Sequence, residues 1–244
     1  MAYRYFSTEA LPAVFEPPFV FVLGGDEAHH LLNVMRVKCG EPLVLFDGSG
    51  AEYDTEIVAL GKRDLTVQLL ARREVSREAE VALTLAVALP KGDRQKWLIE
   101  KLVELGAAAF WPLEAERSVA KAEKSVLERL RRTVVEASKQ CGRNTLMEIG
   151  EPISTRQLFG DSERTAGFSG RFLAHPGGEM VSEQRNALEA APLKILAAVG
   201  PEGGFSEAEI AAALAAGWKS SALGNRILRT ETAALALAAL WNLR

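Results

Sequence analysis

KILAAVGPEGGFSEAEI (Lys194–Ile210) is the stretch that decides the fold of this chain. Ile195–Val199 is a continuous apolar run of strand length, the pattern of a strand covered on both faces. It ends in Gly200-Pro201-Glu202-Gly203-Gly204, and a helix then opens at Ser206 with Glu209 three residues on, the spacing of a capping box. Strand, glycine-bearing turn and capped helix form half of a parallel α/β unit. In such sheets ligands sit outside the carboxyl ends of the strands, and glycines let the backbone approach them closely. The same residues also read as a tight turn with no ligand, and spacing alone leaves both readings open. The loop is not GxGxxG, and no Walker A pattern occurs in the chain.

The segments on either side repeat this pattern. WKSSALGNRILRTETAALALAALWNLR (Trp218–Arg244) gives a short strand ending at Leu223-Gly224, a polar loop with Arg226 and Arg229, and a helix from Thr230 to Asn242. Glu231 lies in the first turn of that helix, where the helix dipole favours a carboxylate. Thr230 and Glu231 taken singly also read as simple helix caps. Before the central stretch, RFLAHPGGE (Arg171–Glu179) is a third strand running into a glycine-bearing loop. Further upstream, VALTLAVAL (Val81–Leu89) and AAAFWPL (Ala107–Leu113) are apolar strands. KGDRQKWLIEKLVELG (Lys91–Gly106) is a helix with Trp97, Leu98, Lys101, Leu102 and Leu105 along one side, and Lys121–Cys141 is a long amphipathic helix. Apolar strands alternating with helices specify an α/β domain with a mostly parallel sheet.

The first seventy residues have a different rhythm. Turn signals recur about every ten residues, and EYDTEIVAL (Glu52–Leu60) partly alternates, with Tyr53, Thr55, Ile57 and Ala59 on one face. This predicts a small antiparallel barrel, interrupted by one helix that Asp26 caps and Gly40 ends. RREVSREAE (Arg72–Glu80) is the candidate linker, so the domains are read as 1–72 and 73–244.

Composition bounds the class. Of 244 residues, 48% are hydrophobic and 25% charged, which is ordinary for a globular chain with a real core. The net charge is −3, so any contact with nucleic acid has to come from a local basic patch. Cys39 and Cys141 are far apart, which fits a reducing compartment better than a disulfide framework. The opening residues carry no apolar core of a signal peptide, and no apolar run is long enough to span a membrane. The expected compartment is the cytoplasm. The three histidines have no Cys or carboxylate at ligand spacing, so no metal is expected, and no GxSxG nucleophile is present.

Together HPGG (His175–Gly178), AAVGPEGGFSEAE and LGNRILRTETAA resemble the RsmE family, the 16S rRNA uracil-N3 methyltransferases of the SPOUT class. The resemblance runs over nearly the whole chain, through YRYF (Tyr3–Phe6), HLLNVMR (His30–Arg36), IEKLVELG (Ile99–Gly106), ERS (Glu116–Ser118) and KQCGRN (Lys139–Asn144). Two positions depart from the family pattern. Met35 stands where Leu is usual, a volume-conserving change, and Lys139 stands where Glu is usual.

The resemblance implies a C-terminal trefoil-knot α/β domain, a small N-terminal PUA-like β-barrel that helps grip RNA, a homodimer, and S-adenosyl-L-methionine as cofactor. It implies a uridine of 16S rRNA as substrate, presented on the small ribosomal subunit, with neither membrane nor metal. The implied cofactor residues are Leu173, Ala174 and His175; Gly200, Pro201, Glu202 and Gly203; Leu223, Gly224, Ile227, Leu228, Arg229, Thr230 and Ala233. The catalytic candidates are Arg229, Glu231 and Arg4: Arg229 to stabilise a uracil anion, Glu231 to take a proton or orient a water. The RNA-binding candidates are Arg4, Arg36, Lys38, Arg117, Lys121 and Arg143. Two other functions stay open: a knotted methyltransferase acting on tRNA or a ribose 2′-hydroxyl, and a non-catalytic RNA-binding assembly factor.

Overall fold

The computed structural model describes residues 3–188 and 193–243. Internal contacts divide the chain into two compact units. The first holds 3–78 together with 138–146, and the second holds 79–137 and the described residues from 147 onward. The division after Glu78 lies six residues beyond the expected boundary. The segment 138–146, which the sequence reading put in the C-terminal domain, belongs to the first unit.

The first unit is a five-stranded sheet. Along the chain come β1 (Tyr3–Phe6), β2 (Phe19–Leu23), a short helix α1 (Gly25–His29) continued by a π-helical turn over His30–Met35, then β3 (Pro42–Phe46), β4 (Ala51–Leu60) and β5 (Leu65–Glu74). The strand order is β1-β3-β4-β5-β2. Three pairs are antiparallel, but β1 runs parallel to β3, so the sheet is mixed rather than wholly antiparallel.

Tyr53, Thr55 and Ile57 face the core as alternation requires, whereas Ala59 is exposed. A register shift between Ile57 and Ala59 accounts for the difference, because one extra residue turns the following side chains to the other face. The core gathers Tyr5, Leu31, Leu43, Leu45, Tyr53, Ile57, Val67 and Leu69. The helix is capped by Gly24 rather than Asp26, and it ends at Arg36, whose φ of 55° is left-handed, four residues before Gly40. The first third of the candidate linker is strand, since β5 runs to Glu74.

The second unit is an α/β sheet. Its elements are β6 (Val81–Ala88), α2 (Arg94–Glu104), β7 (Ala109–Glu114), α3 (Lys124–Cys141, counted here up to Ala137), β8 (Glu148–Ile149), β9 (Ile153–Ser154), α4 (Thr155–Gly160), α5 (Ser162–Thr165), β10 (Gly170–Met180), α6 (Val181–Asn186), β11 (Leu193–Val199), α7 (Glu207–Ala215), β12 (Lys219–Ala222) and α8 (Thr230–Asn242). The order is β12-β10-β11-β6-β7-β8, with β9 also on β7, and every pair is parallel. The apolar runs are explained by this order: Leu83, Leu85, Ile195 and Leu196 are fully buried in strands flanked on both sides.

On α2 the buried residues are Gln95, Leu98, Ile99, Leu102 and Val103. Trp97, read as part of the buried side, is 45% exposed. The apolar stripe is thus rotated toward Ile99 and Val103. Helix α8 spans Thr230–Asn242 as expected, burying Ala233, Ala234, Leu237, Ala238 and Trp241. Among the described residues no helix is long and apolar enough to cross a membrane.

Candidate cofactor pocket

Strands β10, β11 and β12 are neighbours or next-neighbours in the parallel sheet, so their carboxyl ends come together on one edge. A cavity of about 670 Å³, its open mouth included, lies there, within the size range of small-molecule sites. Its wall comes from three loops. The first supplies Ala174, His175 and Pro176, and the second Val199, Gly200, Pro201, Glu202, Gly204 and Phe205. The third supplies Ser221, Leu223, Gly224, Arg226, Ile227 and Leu228, with Thr230 and Ala233 from the start of α8.

Local sequence shapes each loop. Ser206 caps α7 in the expected box: its hydroxyl accepts from Glu209 N, and the Glu209 carboxylate accepts from Ser206 N at 2.8 Å. Glu209 also accepts from Glu116 N and from the Thr155 hydroxyl, each at 2.8 Å. Burial alone would raise the Glu209 carboxyl, but these bonds outweigh it and hold it below its ordinary value. A Cβ on Gly200 would lie 3.1 Å from the Phe205 ring, so the glycine lets the phenyl ring close against the loop. The Thr230 hydroxyl donates to Gly200 O at 3.0 Å and ties the second loop to α8. In the first loop the Gly177 amide donates to His175 Nδ1 at 3.1 Å, which leaves Nε2 as the ring nitrogen able to donate.

Three of the expected cofactor residues stand off the wall. Leu173 is fully buried in the sheet core, because alternate strand residues point to opposite faces and Ala174 is the one turned to the cavity. Gly203 faces Arg117 instead. Arg229 is the N-cap residue of α8, with its side chain exposed outside the lining. The reading missed Pro176, Val199, Gly204, Phe205, Ser221 and Arg226. All six lie inside the quoted motifs, and packing sets which residues of each motif turn to the cavity.

The wall is mixed, as a cofactor with a flat base and charged ends requires. Val199, Phe205, Leu223 and Leu228 give apolar surface, and Glu202, Arg226 and Thr230 give polar groups. Ile227 is 89% exposed, an apolar side chain at the mouth with little packed against it.

Glu231 is buried next to this wall. Its Oε1 lies 3.3 Å from Arg94 Nη1, and its Oε2 has no hydrogen-bond partner. It makes no cap: the N-cap is Arg229, and α8 has no side-chain cap bond.

The other candidates are distributed differently. In the first unit Arg4 donates to Glu52 Oε2 at 2.6 Å and to Asn144, and its guanidinium lies over the Phe46 ring. Arg143 is 3% exposed and paired with Glu78. Both guanidiniums are held in ion pairs within the first unit, so neither is a free surface charge. Arg36 and Lys38 are exposed in the first unit, and Lys121 in the second. Arg117 is exposed but bonded to Gly203 O. Lys139, at the position of family departure, pairs with Glu27 at 2.8 Å and lies 5.2 Å from the Tyr5 ring centre. Among the described residues no cluster of His, Cys, Asp and Glu is placed to hold a metal ion.

Residues 77–242 match the family model of the RNA methyltransferase domain, and residues 23–70 match that of the RNA methyltransferase PUA domain. The chain is 33% identical over 241 residues to the ribosomal RNA small subunit methyltransferase E of Bacillus subtilis, covering 95% of this chain and 93% of that one. The chain belongs to this family of RNA methyltransferases. The Synechocystis member is 35% identical over 213 residues, covering 85% of this chain and 67% of its own length. Among solved structures, the Neisseria gonorrhoeae methyltransferase E bound to S-adenosyl methionine superposes with a TM-score of 0.85 at 31% identity, over 98% and 96% of the two chains. A Legionella pneumophila protein in complex with its cofactor SAM superposes at 0.86 with 30% identity, over 99% and 97%.

Proposed function

We propose that this chain methylates N3 of one uridine in the 16S rRNA of the small ribosomal subunit, using S-adenosylmethionine held in the three-loop cavity. Family membership supports the reaction class, and the mixed wall supports the cofactor. The observation that carries the reading is the pairing of that cavity with Arg229 and Glu231 at the start of α8. Ala174, Leu223, Ile227 and Leu228 would cover the adenine, with Glu202, Arg226 and Thr230 at the cofactor's polar parts. In the SPOUT reading the return of the chain to the far side of β10 is the knotted crossing.

When bound, the cofactor supplies a sulfonium methyl: the N3–carbon bond forms as the carbon–sulfur bond breaks, the electron pair returns to sulfur, and the N3 proton is released. The chain's own residues do the rest. The loops fix the line of attack. Glu231, buried next to the cavity wall, is assigned to take the N3 proton or to orient a water for it. Arg229 is exposed beside the cavity and has no ion pair among the described residues, so it is available to stabilise negative charge on the uracil. Arg36, Lys38 and Lys121 contact RNA phosphates. The enzyme works in the cytoplasm as a homodimer.

Primer extension on 16S rRNA tests the position. Methylation at N3 blocks pairing and stops the transcript at one uridine in treated subunits. Read-through, or a stop only on tRNA, rejects the assignment.

A further inference from the structure

Most side-chain donors on the cavity wall are already used. The lining residues with donor side chains are His175, Ser221, Arg226 and Thr230. The Ser221 hydroxyl donates to Gln184 Oε1, and the Thr230 hydroxyl hydrogen goes to Gly200 O at 3.0 Å. His175 takes the Gly177 amide on Nδ1 and keeps an N–H at Nε2. Arg226 is the one lysine or arginine on the wall. It is exposed, and its guanidinium makes no hydrogen bond or ion pair among the described residues.

The opposite charge is placed differently. Glu202, the one carboxylate on the wall, has Arg94 Nη1 3.9 Å from its Oε1. The strand order β12-β10-β11 puts the loops of Arg226 and Glu202 on either side of the His175 loop. The cavity is thus flanked by a carboxylate with a cation beside it and by a cation with no carboxylate. Arg226 stands in the turn between β12 and α8. Gly224 opens that turn at a φ of 110°, where side chains are rarely tolerated, and Ile227 follows at the cavity mouth.

S-adenosylmethionine ends in an amino acid, with an ammonium and a carboxylate beyond the sulfonium. A carboxylate drawn out of water needs a cation or strong donors. A guanidinium meets it with two parallel N–H···O bonds. Adenine and ribose carry no charge that calls for an arginine, and the wall offers the carboxylate no other cation.

We infer that Arg226 binds the carboxylate of S-adenosylmethionine and so sets the preference of this cavity for cofactors that keep their amino-acid end. This rests on the reading that the cavity holds the cofactor. The product S-adenosylhomocysteine keeps the same carboxylate, so Arg226 holds cofactor and product alike.

The test is calorimetry on the full-length wild-type protein, Arg226→Ala and Arg226→Lys, with thermal melting to follow the fold. The ligands are S-adenosylmethionine, S-adenosylhomocysteine and decarboxylated S-adenosylmethionine. Wild type binds S-adenosylmethionine about tenfold tighter than the decarboxylated form. Arg226→Ala weakens S-adenosylmethionine and S-adenosylhomocysteine about tenfold each. It leaves the decarboxylated form within about twofold, because the group that Arg226 binds is absent from that ligand. Arg226→Lys falls between, since it restores the charge but not the fork. A residue that only shaped the loop would weaken all three ligands alike, and that result overturns the inference. So does an unchanged cofactor Kd with a raised KM for small subunits, which makes Arg226 an RNA contact. If Arg226→Ala does not fold, Arg226→Gln carries the same criterion. Wild-type protein that shows this preference but methylates no small-subunit RNA supports the inference and overturns the proposed substrate alone. Wild-type protein that binds none of the three ligands overturns both.

Discussion

Arg117 Nη1 donates a 2.8 Å hydrogen bond to the carbonyl of Gly203, in the middle of the GPEGG loop. The neighbouring Glu116 amide donates to Glu209, which in turn accepts from Ser206 N at the start of α7. The turn 116–118 therefore holds the loop at its centre and at its exit. Arg117, expected as an RNA contact, is thereby bonded to a loop that lines the cavity. Removing one charge-assisted bond costs about 1.5 kcal/mol. Arg117→Ala is expected to weaken cofactor binding about tenfold and to lower the melting temperature by about 3–6 °C. Calorimetry reads the affinity directly, and an unaltered value rejects this hold on the loop.

Gly178 lies where β10 shifts register against β12. A Cβ there would come 2.4 Å from Ser220 C and Ser221 N, both backbone atoms with no freedom to give way. Gly178→Ala should cost about 3 kcal/mol or more and lower the melting temperature by roughly 6–12 °C. Gly177→Ala is the control, since its Cβ would meet only the His175 ring at 3.3 Å. Equal melting of the two variants would contradict the close approach.

Acid should weaken each unit through one buried carboxylate. In the first unit burial opposes ionisation of Glu52, but hydrogen bonds and charges from Arg4 and Arg77 lower its pKa below the ordinary 4.5. In the second unit the same balance lowers Glu209. Both folded values are depressed, so the stabilisation is complete above 4.5 and is lost as the pH falls through the lowered values. Denaturant unfolding between about pH 5 and pH 3 should show a stability loss that is smaller in Glu209→Gln. A variant curve parallel to the wild type would show that Glu209 is not a source of the acid sensitivity.

Arg229 is exposed and unpaired among the described residues, so its removal leaves no buried partner stranded. Arg229→Ala should lower kcat by about 100-fold or more with little change in melting. Retained turnover on purified small subunits would end its assignment to the reacting centre.

Local chemistry was legible in the sequence where its partners are near in the chain. Ser206 and Glu209 are three residues apart, so their box is readable, and α8 begins where Thr230 and Glu231 suggest. The wall of the cavity was legible in the motifs that form it, down to His175, Gly200 and Leu228. What escaped depends on distant partners. Arg4 and Asn144 are 140 residues apart, and Arg143 is buried against Glu78, so both arginines looked like free surface charges. Leu173 and Ala174 differ only in the face of β10 they occupy, which neighbouring strands set. Ala59 left its expected face because of a bulge that no residue type announces. Arg94 carries no motif signal, and its carboxylate neighbours Glu202 and Glu231 are distant in the chain.

The most direct measurement is mass spectrometry of 16S rRNA nucleosides after small subunits are incubated with the protein and isotope-labelled S-adenosylmethionine. The expected result is label in a single 3-methyluridine. Label on a ribose 2′-oxygen, label only in added tRNA, or no label at all would contradict the proposed reaction.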